Sequence, residues 1–414
     1  MNTSRKNDKT RVTILFEDAE DLQQNSVNAL DSIVIKGRGQ LVQRRATSEL
    51  PHNINKSFKT LRITWKSPES PGISAIAPPL SSGLNIYVSG DSERTPGAIR
   101  SAKYDLLHSN DYDDSLISRF LPKDFNLTEL RLKDRDYDIV VDDKIHVNEY
   151  YAIKDGFNET LRYEEAYGRL EVGLFFAEPS DQLDANLNGL RCTWSFTGQI
   201  DKCQKTYLFY QQAHNMSINS TTVVEQVGPV GLHPTVRVDL RGETSSEHCR
   251  HFMYLAAPTG LFIDKFQSSP IFVAGADDLE LPEYKIGDDT WGFESLFSLK
   301  PGQLNDIQLH TRYVKPRARG GFKHIHYSPI VFRACDTGNM EVQNNPFYTR
   351  SLGLESFFTN DTVFQHFHSA TLSVSVPAAN TNDFQAVWLV TSMCLVLSVA
   401  YLLIKVYTRQ NSQR

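Results

Sequence analysis

The chain has 414 residues, of which 40% are hydrophobic and 11% aromatic, and its net charge is −6. This composition can bury the cores of about two domains, and the lack of a basic excess argues against nucleic acid as a partner. A mean hydropathy of −0.37 excludes a multi-span transporter and is typical of a soluble ectodomain with one anchor.

The first residues of the chain contain no segment that we expect to act as a secretory signal. The apolar run at residues 12–16 is shorter than the about 7–15 residues of a signal core, and acidic residues follow it. An ectodomain in the lumen would then have to be translocated by a C-terminal anchor. The competing topology is a tail-anchored protein whose ectodomain is cytosolic.

Short runs rich in β-branched and aromatic residues, separated by turn residues, predict strands along the first half of the chain. These runs are residues 11–16, 32–36, 61–65, 84–88, 138–141 and 170–176. The Pro-, Ser- and Gly-rich stretch 66–83 predicts a loop, and residues 100–136 are more helical or irregular. We assign residues 1–200 to an N-terminal β-rich domain.

The second half of the chain is more regularly patterned. Residues 236–240 alternate as a half-buried strand does, and a turn at 258–260 separates two strand-like runs. Short strands with turns about every 8–12 residues predict an antiparallel β-sandwich. Its strands are residues 236–240, 248–255, 261–263, 271–273, 307–316, 322–327 and 329–335. We place the boundary near 200–230 and assign residues 201–345 to this domain.

Four cysteines precede the C-terminal hydrophobic run, and the fifth, Cys394, lies within it. The four are Cys192, Cys203, Cys249 and Cys335, an even set that allows three pairings. The first two flank Gly198, so a hairpin with a disulfide across its strands is one arrangement; pairing of each with a later cysteine is the other. A bridge between the last two would staple the second domain. None of the spacings suits zinc.

The most hydrophobic stretch is residues 384–404, in which 21 consecutive residues carry no charge. About 20 apolar residues span the roughly 30 Å hydrocarbon core of a bilayer, and a core helix is rarely apolar on every face. We assign 346–382 to a juxtamembrane segment, 383–405 to a transmembrane helix and 406–414 to a tail. Because positive flanks stay cytosolic, Lys405, Arg409 and Arg414 predict a cytosolic tail and a lumenal N-terminus.

N-glycosylation acceptors support the lumenal assignment. Seven candidates occur, at Asn2, Asn55, Asn126, Asn158, Asn215, Asn219 and Asn360. Their number exceeds what the asparagine content alone would produce.

No residue pattern in the chain predicts catalysis. The nucleophile elbow, the zinc-protease helix and the phosphate-binding loop motifs are missing from the sequence. His310 and Arg312 share one face of a predicted strand, as do His324 and His326. Two such histidines can bind a metal, but an exposed strand face explains them, and we predict a structural role. We therefore predict no catalytic, metal or cofactor site.

An ordered series of elements in the second domain resembles the PIG-X family. A cysteine precedes a strand–turn–strand, an acidic element with a proline follows, and an L-H-x-R-Y-x-x-P strand and an aromatic-then-cysteine strand precede the span. The matching residues are Cys249, Ala257, Pro258, Gly260, Leu261, Phe262, Asp264, Asp278, Glu280, Pro282, Leu309, His310, Arg312, Tyr313, Pro316, Phe332 and Cys335. The family's leucine before the first proline is Ala257 here. The resemblance covers about residues 230–405. The length of the chain is similar to that of the family's fungal members.

The resemblance implies a single-pass glycoprotein of the endoplasmic reticulum membrane. It implies a non-catalytic subunit, without cofactor, that stabilises glycosylphosphatidylinositol (GPI) mannosyltransferase I. The partner would be a multi-span catalytic subunit of the PIG-M type, which adds the first mannose from dolichol-phosphate-mannose. Fungal members are also linked to maturation of a vacuolar protease, so the alternative hypothesis is a general lumenal chaperone or quality-control factor.

Two surfaces are candidates for contact with the partner. In the membrane, the small residues Ser392, Ser398 and Ala400 would let another helix approach closely. In the lumen, the candidates are the LHTRY strand and four juxtamembrane phenylalanines, Phe357, Phe358, Phe364 and Phe367. The alternative for the stretch that contains these phenylalanines is packing on the ectodomain.

The alternative for the LHTRY strand is an internal role. Arg312 would then pair with Asp278 or Glu280, and Tyr313 would lie in the core.

Overall fold

The computed structural model describes residues 9–24, 32–35, 41–50, 58–90, 95–121, 134–153, 159–163, 168–180, 184–194, 200–217, 220–228, 232–276, 278–279, 281–286, 290–368 and 370–411. Strands make up most of this structure, which confirms the predicted mainly β class. One long apolar helix follows the last strand.

The first unit is built on one large sheet. Its strands are β1 (Lys9–Phe16), β2 (Ser32–Ile35), β3 (Leu41–Glu49), β4 (Thr60–Lys66), β5 (Gly83–Ser89), β6 (Ile99–Arg100), β7 (Asp105–Ser109), β8 (Asp136–Val141), β9 (Lys144–Ala152), β10 (Glu159–Arg162), β11 (Arg169–Glu178), β12 (Asp184–Trp194) and β13 (Ile200–Gln211). Eleven of them pair in the order β13-β12-β11-β1-β3-β9-β8-β4-β5-β7-β6, while β2 pairs with β10. Strands β1 and β11 run parallel. Two short helices, α1 (Ala19–Gln24) and α2 (Asp114–Ile117), lie between the strands.

The region 100–136 was expected to be helical or irregular, and that expectation is wrong in part. It contains strand β7, which pairs with β5, and its one described helix is the four-residue α2. Residues 122–133 lie outside the described part.

Alternation along β1 explains how the large sheet divides its residues between two faces. Val12, Ile14 and Phe16 lie on one face and are buried in a core with Val172 and Trp194. Lys9 and Arg11, at the odd-numbered positions of the strand, belong to the opposite face. That second face is therefore polar at this end of the sheet.

The second unit contains thirteen further strands among the described residues. They are β14 (His214–Met216), β15 (Val223–Val227), β16 (Thr235–Asp239), β17 (Cys249–Pro258), β18 (Leu261–Phe262), β19 (Phe272–Gly275), β20 (Gly292–Leu299), β21 (Leu304–Gln308), β22 (His310–Thr311), β23 (Gly321–Tyr327), β24 (Ile330–Asp336), β25 (Thr362–His366) and β26 (Leu372–Ala378). One sheet has the order β14-β25-β24-β17-β20-β19, and the others are β15-β16-β21, β18-β22 and β23-β26. The short helix α3 (Lys265–Ser268) follows β18.

The second unit is the predicted β-sandwich. Inward residues of the six-stranded sheet, such as Met253 and Phe297, pack against Val236 of the three-stranded sheet and Val374 of β26. The pairings are antiparallel except for that of β14 with β25. The predicted strand at 307–316 is shorter than expected: it is divided between β21 and β22, and Leu309 between them is buried.

Two of the predicted domain limits differ from the structure. Strand β13 pairs along its length with β12, so the first unit extends to Gln211 rather than ending at 200. The stretch 346–382 is not a separate juxtamembrane segment, because β25 and β26 complete the sheets of the second unit. Before them, residues 346–352 pack on the first unit, where Gln43 Nε2 donates to the Phe347 carbonyl at 2.6 Å.

A disulfide lies within each unit. Cys192 and Cys203 face each other across the β12–β13 hairpin, and Cys249 and Cys335 across the β17–β24 pair. Each bond therefore joins two directly opposed residues of neighbouring strands. The hairpin arrangement, rather than pairing with a later cysteine, is the one that the structure contains.

Helix α4 (Phe384–Asn411) ends the described chain, after a 3-10 turn at Thr381–Asp383. The most apolar 18-residue window of this helix has a mean hydropathy of 2.3, and none of that window is buried by the rest of the chain. The helix is long and apolar enough to cross a membrane, and it includes most of the span predicted at 383–405.

A buried polar cluster joins the two units. Tyr104 of the first unit and Tyr254 of the second both donate to Glu294 Oε1, at 2.5 and 2.7 Å. Glu294 is 0% exposed. Burial raises the pKa of the Glu294 carboxyl, although the hydrogen bonds from the two tyrosines oppose that shift.

We expect Glu294→Gln to stabilise the fold, with an effect that grows with pH. A carboxyl whose pKa is raised on folding favours the fold at low pH, and this contribution is lost as pH rises from about 4.5 through the raised value. The glutamine has no charge to bury and still accepts from both tyrosines, so its advantage at pH 8 should be on the order of 1 kcal/mol. Urea denaturation at pH 5 and pH 8 measures it, with exposed Glu225→Gln as control. If the difference in unfolding free energy between Glu294→Gln and wild type were the same at both pH values, the raised pKa of Glu294 would be contradicted.

Candidate functional site

Many of the residues that match the family lie at one corner of the second unit, around Arg312, whereas Cys249, Cys335 and Phe332 lie towards the other end of β17. This side chain is 2% exposed. Its Nη2 donates to the carbonyl of Ala276 at 3.1 Å, and its Nη1 donates to those of Leu281, at 2.9 Å, and Asp278. The guanidinium also lies 4.5 Å from the ring centre of Phe262. Arg312 therefore clamps the 276–281 loop against β18.

His310 is a second internal member of this corner. Its Nδ1 lies 2.8 Å from Nδ1 of His233, its Nε2 lies 3.1 Å from Gln267 Oε1, and its ring stacks on Phe262. Burial, and then the neighbouring His233, lower the pKa of His310. Its neutral ring is thus part of the packing.

The remaining motif residues shape the same corner. Asp264 caps α3 by accepting from the Phe266 amide at 2.9 Å. A Cβ at Gly260 would lie 2.5 Å from Ile325 Cδ1, so a larger residue there would displace the end of that side chain. Of the others, Pro258 ends β17, Leu309 is fully buried, Pro282 precedes a 3-10 turn and Pro316 is exposed. Glu280 lies outside the described residues.

The clamped loop presents apolar side chains to solvent. Leu279 and Leu281 are 42% and 39% exposed, and Tyr284 and Tyr313 are 51% and 65% exposed. Tyr313 is joined to the loop, because its carbonyl accepts from the Glu283 amide at 3.0 Å. We call these four residues the motif surface. The alternative that placed Tyr313 in the core is wrong, whereas the internal role for Arg312 holds, with backbone carbonyls among its acceptors.

The motif surface lies near the start of helix α4. The Arg317 amide donates to the Ala379 carbonyl and the Thr381 amide donates to the Arg317 carbonyl, both at 2.9 Å. This ties the loop after Tyr313 to the residues just before α4. The loop carries three exposed cations, Lys315, Arg317 and Arg319, and ends at Phe322, which is 60% exposed.

The four phenylalanines predicted as a partner-contact cluster belong to the protein's interior. Phe364 and Phe367 are 0% and 3% exposed. Phe357 packs on Tyr104 of the first unit, and Phe358 packs edge-on against Phe252. Of the two roles open to this stretch, packing on the ectodomain is the one that the structure contains: Phe364 lies in β25 and Phe367 follows that strand directly.

The other candidate residues lie apart from this corner. His324 and His326 are exposed on β23, and in the described part of the chain no three His, Cys, Asp or Glu side chains are grouped to hold a metal ion. Among the sequons, Asn360 is exposed, whereas Asn215 is buried and could accept a glycan only before the chain folds. The remaining candidates, Asn2, Asn55, Asn126, Asn158 and Asn219, lie outside the described residues.

Sequence reasoning missed the apolar part of the motif surface. Leu279, Leu281 and Tyr284 stand in an acidic stretch that was treated only as a motif element. Large apolar residues interleaved with acids between two strands were the available signal. Single exposed hydrophobic residues are common on protein surfaces, but three close together in one short stretch form a patch.

Comparison with known proteins gives one consistent family. The family model described as PIG-X / PBN1 matches residues 229–407. The chain is 38% identical to Protein PBN1 of Saccharomyces cerevisiae, over 98% of each chain, and 36% identical to Protein PBN1 of Eremothecium gossypii, over 95% of each. A more distant relative, Protein PBN1 of Debaryomyces hansenii, is 29% identical over 60% of this chain and 58% of its own length. Because the family model matches residues 229–407 and the first two of these relatives match nearly the full length, this chain belongs to the PIG-X/PBN1 family.

Proposed function

We propose that this chain is a non-catalytic subunit that stabilises GPI mannosyltransferase I in the endoplasmic reticulum membrane. The partner would be a multi-span PIG-M-type enzyme that transfers the first mannose from dolichol-phosphate-mannose to the GPI precursor. The observation that carries the proposal is the motif surface: it includes the family residue Tyr313, its other members alternate with or follow the family's acidic motif element, it is apolar, and it lies beside the start of helix α4.

The arrangement supports two contacts with such a partner. Helix α4 offers a groove lined by Trp388, Ser392 and Val396, and Ser392 allows another helix to approach closely. The motif surface would hold lumenal loops of the same partner. Disulfides persist in oxidising compartments, so the two bonds support a lumenal position for both units, with the C-terminal end in the cytosol.

Depletion of the protein tests the role in the pathway. We expect the unmannosylated glucosaminyl-(acyl)phosphatidylinositol precursor to accumulate and the catalytic subunit to be degraded. Normal mannosylation after depletion, together with capture of many unrelated secretory clients, would instead favour the general chaperone hypothesis.

The double substitution Leu281→Ser and Tyr313→Ser should weaken binding to the catalytic subunit without unfolding the protein. Both side chains are exposed, so the change in the free energy of unfolding should stay within about 0.5 kcal/mol. Loss of two central apolar contacts typically weakens an interface at least about tenfold. Co-purification from membranes, with thermal melting of the same samples, measures both quantities.

Tyr207→Ser is the matched control, because Tyr207 is 55% exposed on β13 of the first unit. Equal co-purification of wild type, control and double variant would show that the motif surface does not bind the partner.

A further inference from the structure

An open cavity of about 560 Å³ lies between the large sheet and residues 349–352. Its charged lining includes Lys9, Arg11, Arg45 and Arg350, together with the carboxylate of Asp142. A volume of this size lies within the about 300–1,000 Å³ of small-molecule sites. The positive lining stands out because the whole chain has a net charge of −6.

The register of the sheet sets like charges against each other. Arg11 on β1 lies directly opposite Arg45 on β3, and Lys9 lies opposite Arg169 on β11. Alternate residues of a strand share one face, so all four cations belong to the same side of the sheet. Like charges directly opposite each other destabilise a sheet. An anion bound beside these two pairs of opposed cations would offset their repulsion.

One carboxylate meets only part of that need. Glu171 forms ion pairs with Lys9 and Arg11 at 3.0 Å, Arg191 at 2.8 Å and Arg169 at 3.3 Å. Burial opposes its ionisation, but hydrogen bonds from Lys9 and Arg191 prevail and lower the pKa of Glu171 to about 2. A single negative charge is therefore shared among four cations.

Arg45 differs from Lys9, Arg11 and Arg350 in having no ion pair among the described residues. Its Nε donates to Asn148 Oδ1 at 3.0 Å and its Nη1 to the Pro346 carbonyl at 3.3 Å. No carboxylate in the described ranges forms an ion pair with it, whereas Arg350 has Glu355 at 3.5 Å. Burial and, to a smaller extent, the neighbouring Arg11 lower the pKa of Arg45, although Tyr150 and Asp138 act in the opposite direction. Within the described residues, its charge is thus held without a carboxylate at ion-pairing distance.

We propose that this cavity binds a phosphate ester, with Arg45 as the principal ligand and Arg11 and Lys9 as neighbouring cations. A guanidinium forms paired hydrogen bonds with phosphate, and the hydroxyl of Thr47, which also lines the cavity, is a further donor. A phosphate dianion would offset the excess charge that Glu171 leaves. The ester is either a phospholipid headgroup or a soluble phosphate. This proposal does not depend on the proposed subunit role.

Isothermal titration of the full-length protein in detergent with inorganic phosphate, at low ionic strength, tests the site. We expect saturable binding that weakens at least tenfold in Arg45→Gln and less in Arg45→Lys, which keeps the positive charge but not the paired hydrogen bonds. The control Arg237→Gln, which removes an exposed arginine paired with Asp306, should bind as wild type does. Absence of binding to wild type, or equal binding by Arg45→Gln, would overturn the proposal.

A second measurement needs no variant. Phosphate should slow the reaction of Arg45 with phenylglyoxal several-fold in the wild-type protein, as followed by peptide mass spectrometry, and should leave Arg237 unaffected. An unchanged rate at Arg45 would also overturn the proposal. Repeating the titration in nanodiscs distinguishes the sources. If phosphate binds more weakly in nanodiscs that contain phosphatidylinositol than in nanodiscs of phosphatidylcholine, the natural ligand is a lipid headgroup. If phosphate binds equally in both, the ligand is a soluble ester.

Discussion

Arg312→Met should lower the free energy of unfolding of the second unit by about 3 kcal/mol. The substitution removes the donors to the carbonyls of Ala276, Asp278 and Leu281 and leaves them without these partners. A hydrogen bond from a charged group typically contributes about 1.5–3 kcal/mol, water can replace part of this at the partly buried carbonyls, and the methionine keeps part of the packing on Phe262. Arg312→Lys should recover only part of the loss, because an ammonium lacks the planar fork that reaches several carbonyls.

Urea-dependent pulse proteolysis of the solubilised protein measures this effect, since it reports on each unit separately. Arg237→Met is the control, because Arg237 is exposed and its pair with Asp306 is solvated, so little change is expected. The 276–286 region should also become the first cleavage site in Arg312→Met. If the two variants unfold at the same urea concentration and the loop stays protected, Arg312 does not clamp it.

Strands with a regular apolar pattern were predictable, and those with polar residues on the inside were not. Strand β16 alternates simply, whereas β3 carries Gln43 buried at 1% exposure and two consecutive arginines. Strand β20 contains the buried Glu294, whose partners come from β17 and from the loop before β7. In such strands the polar residues are satisfied by distant parts of the chain, and a local pattern cannot reveal those partners.

The two candidate sites show the same limit. The motif residues could be named in advance, because their order along the chain is specific. Their roles could not: Arg312 bonds to backbone carbonyls, and Tyr313 next to it is exposed. The basic cavity was missed entirely, since Lys9 and Arg45 lie on strands whose register alone brings them together.

Loss of the Cys249–Cys335 disulfide is the change with the largest expected cost. The bond closes a loop of 86 residues, for which the chain-entropy relation gives about 4.6 kcal/mol. The Cys192–Cys203 bond spans 11 residues, for which the same relation gives about 2.8 kcal/mol. We therefore expect the double substitution Cys249→Ala and Cys335→Ala to destabilise the second unit more than Cys192→Ala and Cys203→Ala destabilise the first.

Position in the sheets strengthens this expectation. Strand β17 lies at the centre of the six-stranded sheet and pairs with both β24 and β20, so loosening its end affects the sandwich that carries the motif surface. The β12–β13 hairpin forms an edge of the large sheet, where fraying disturbs fewer neighbours. The 249/335 variant should therefore also lose the proposed catalytic partner in co-purification, and the 192/203 variant should retain it. If both variants had the same urea midpoint, the argument from loop length would be contradicted. If both variants retained the partner, partner binding would not depend on an intact sandwich.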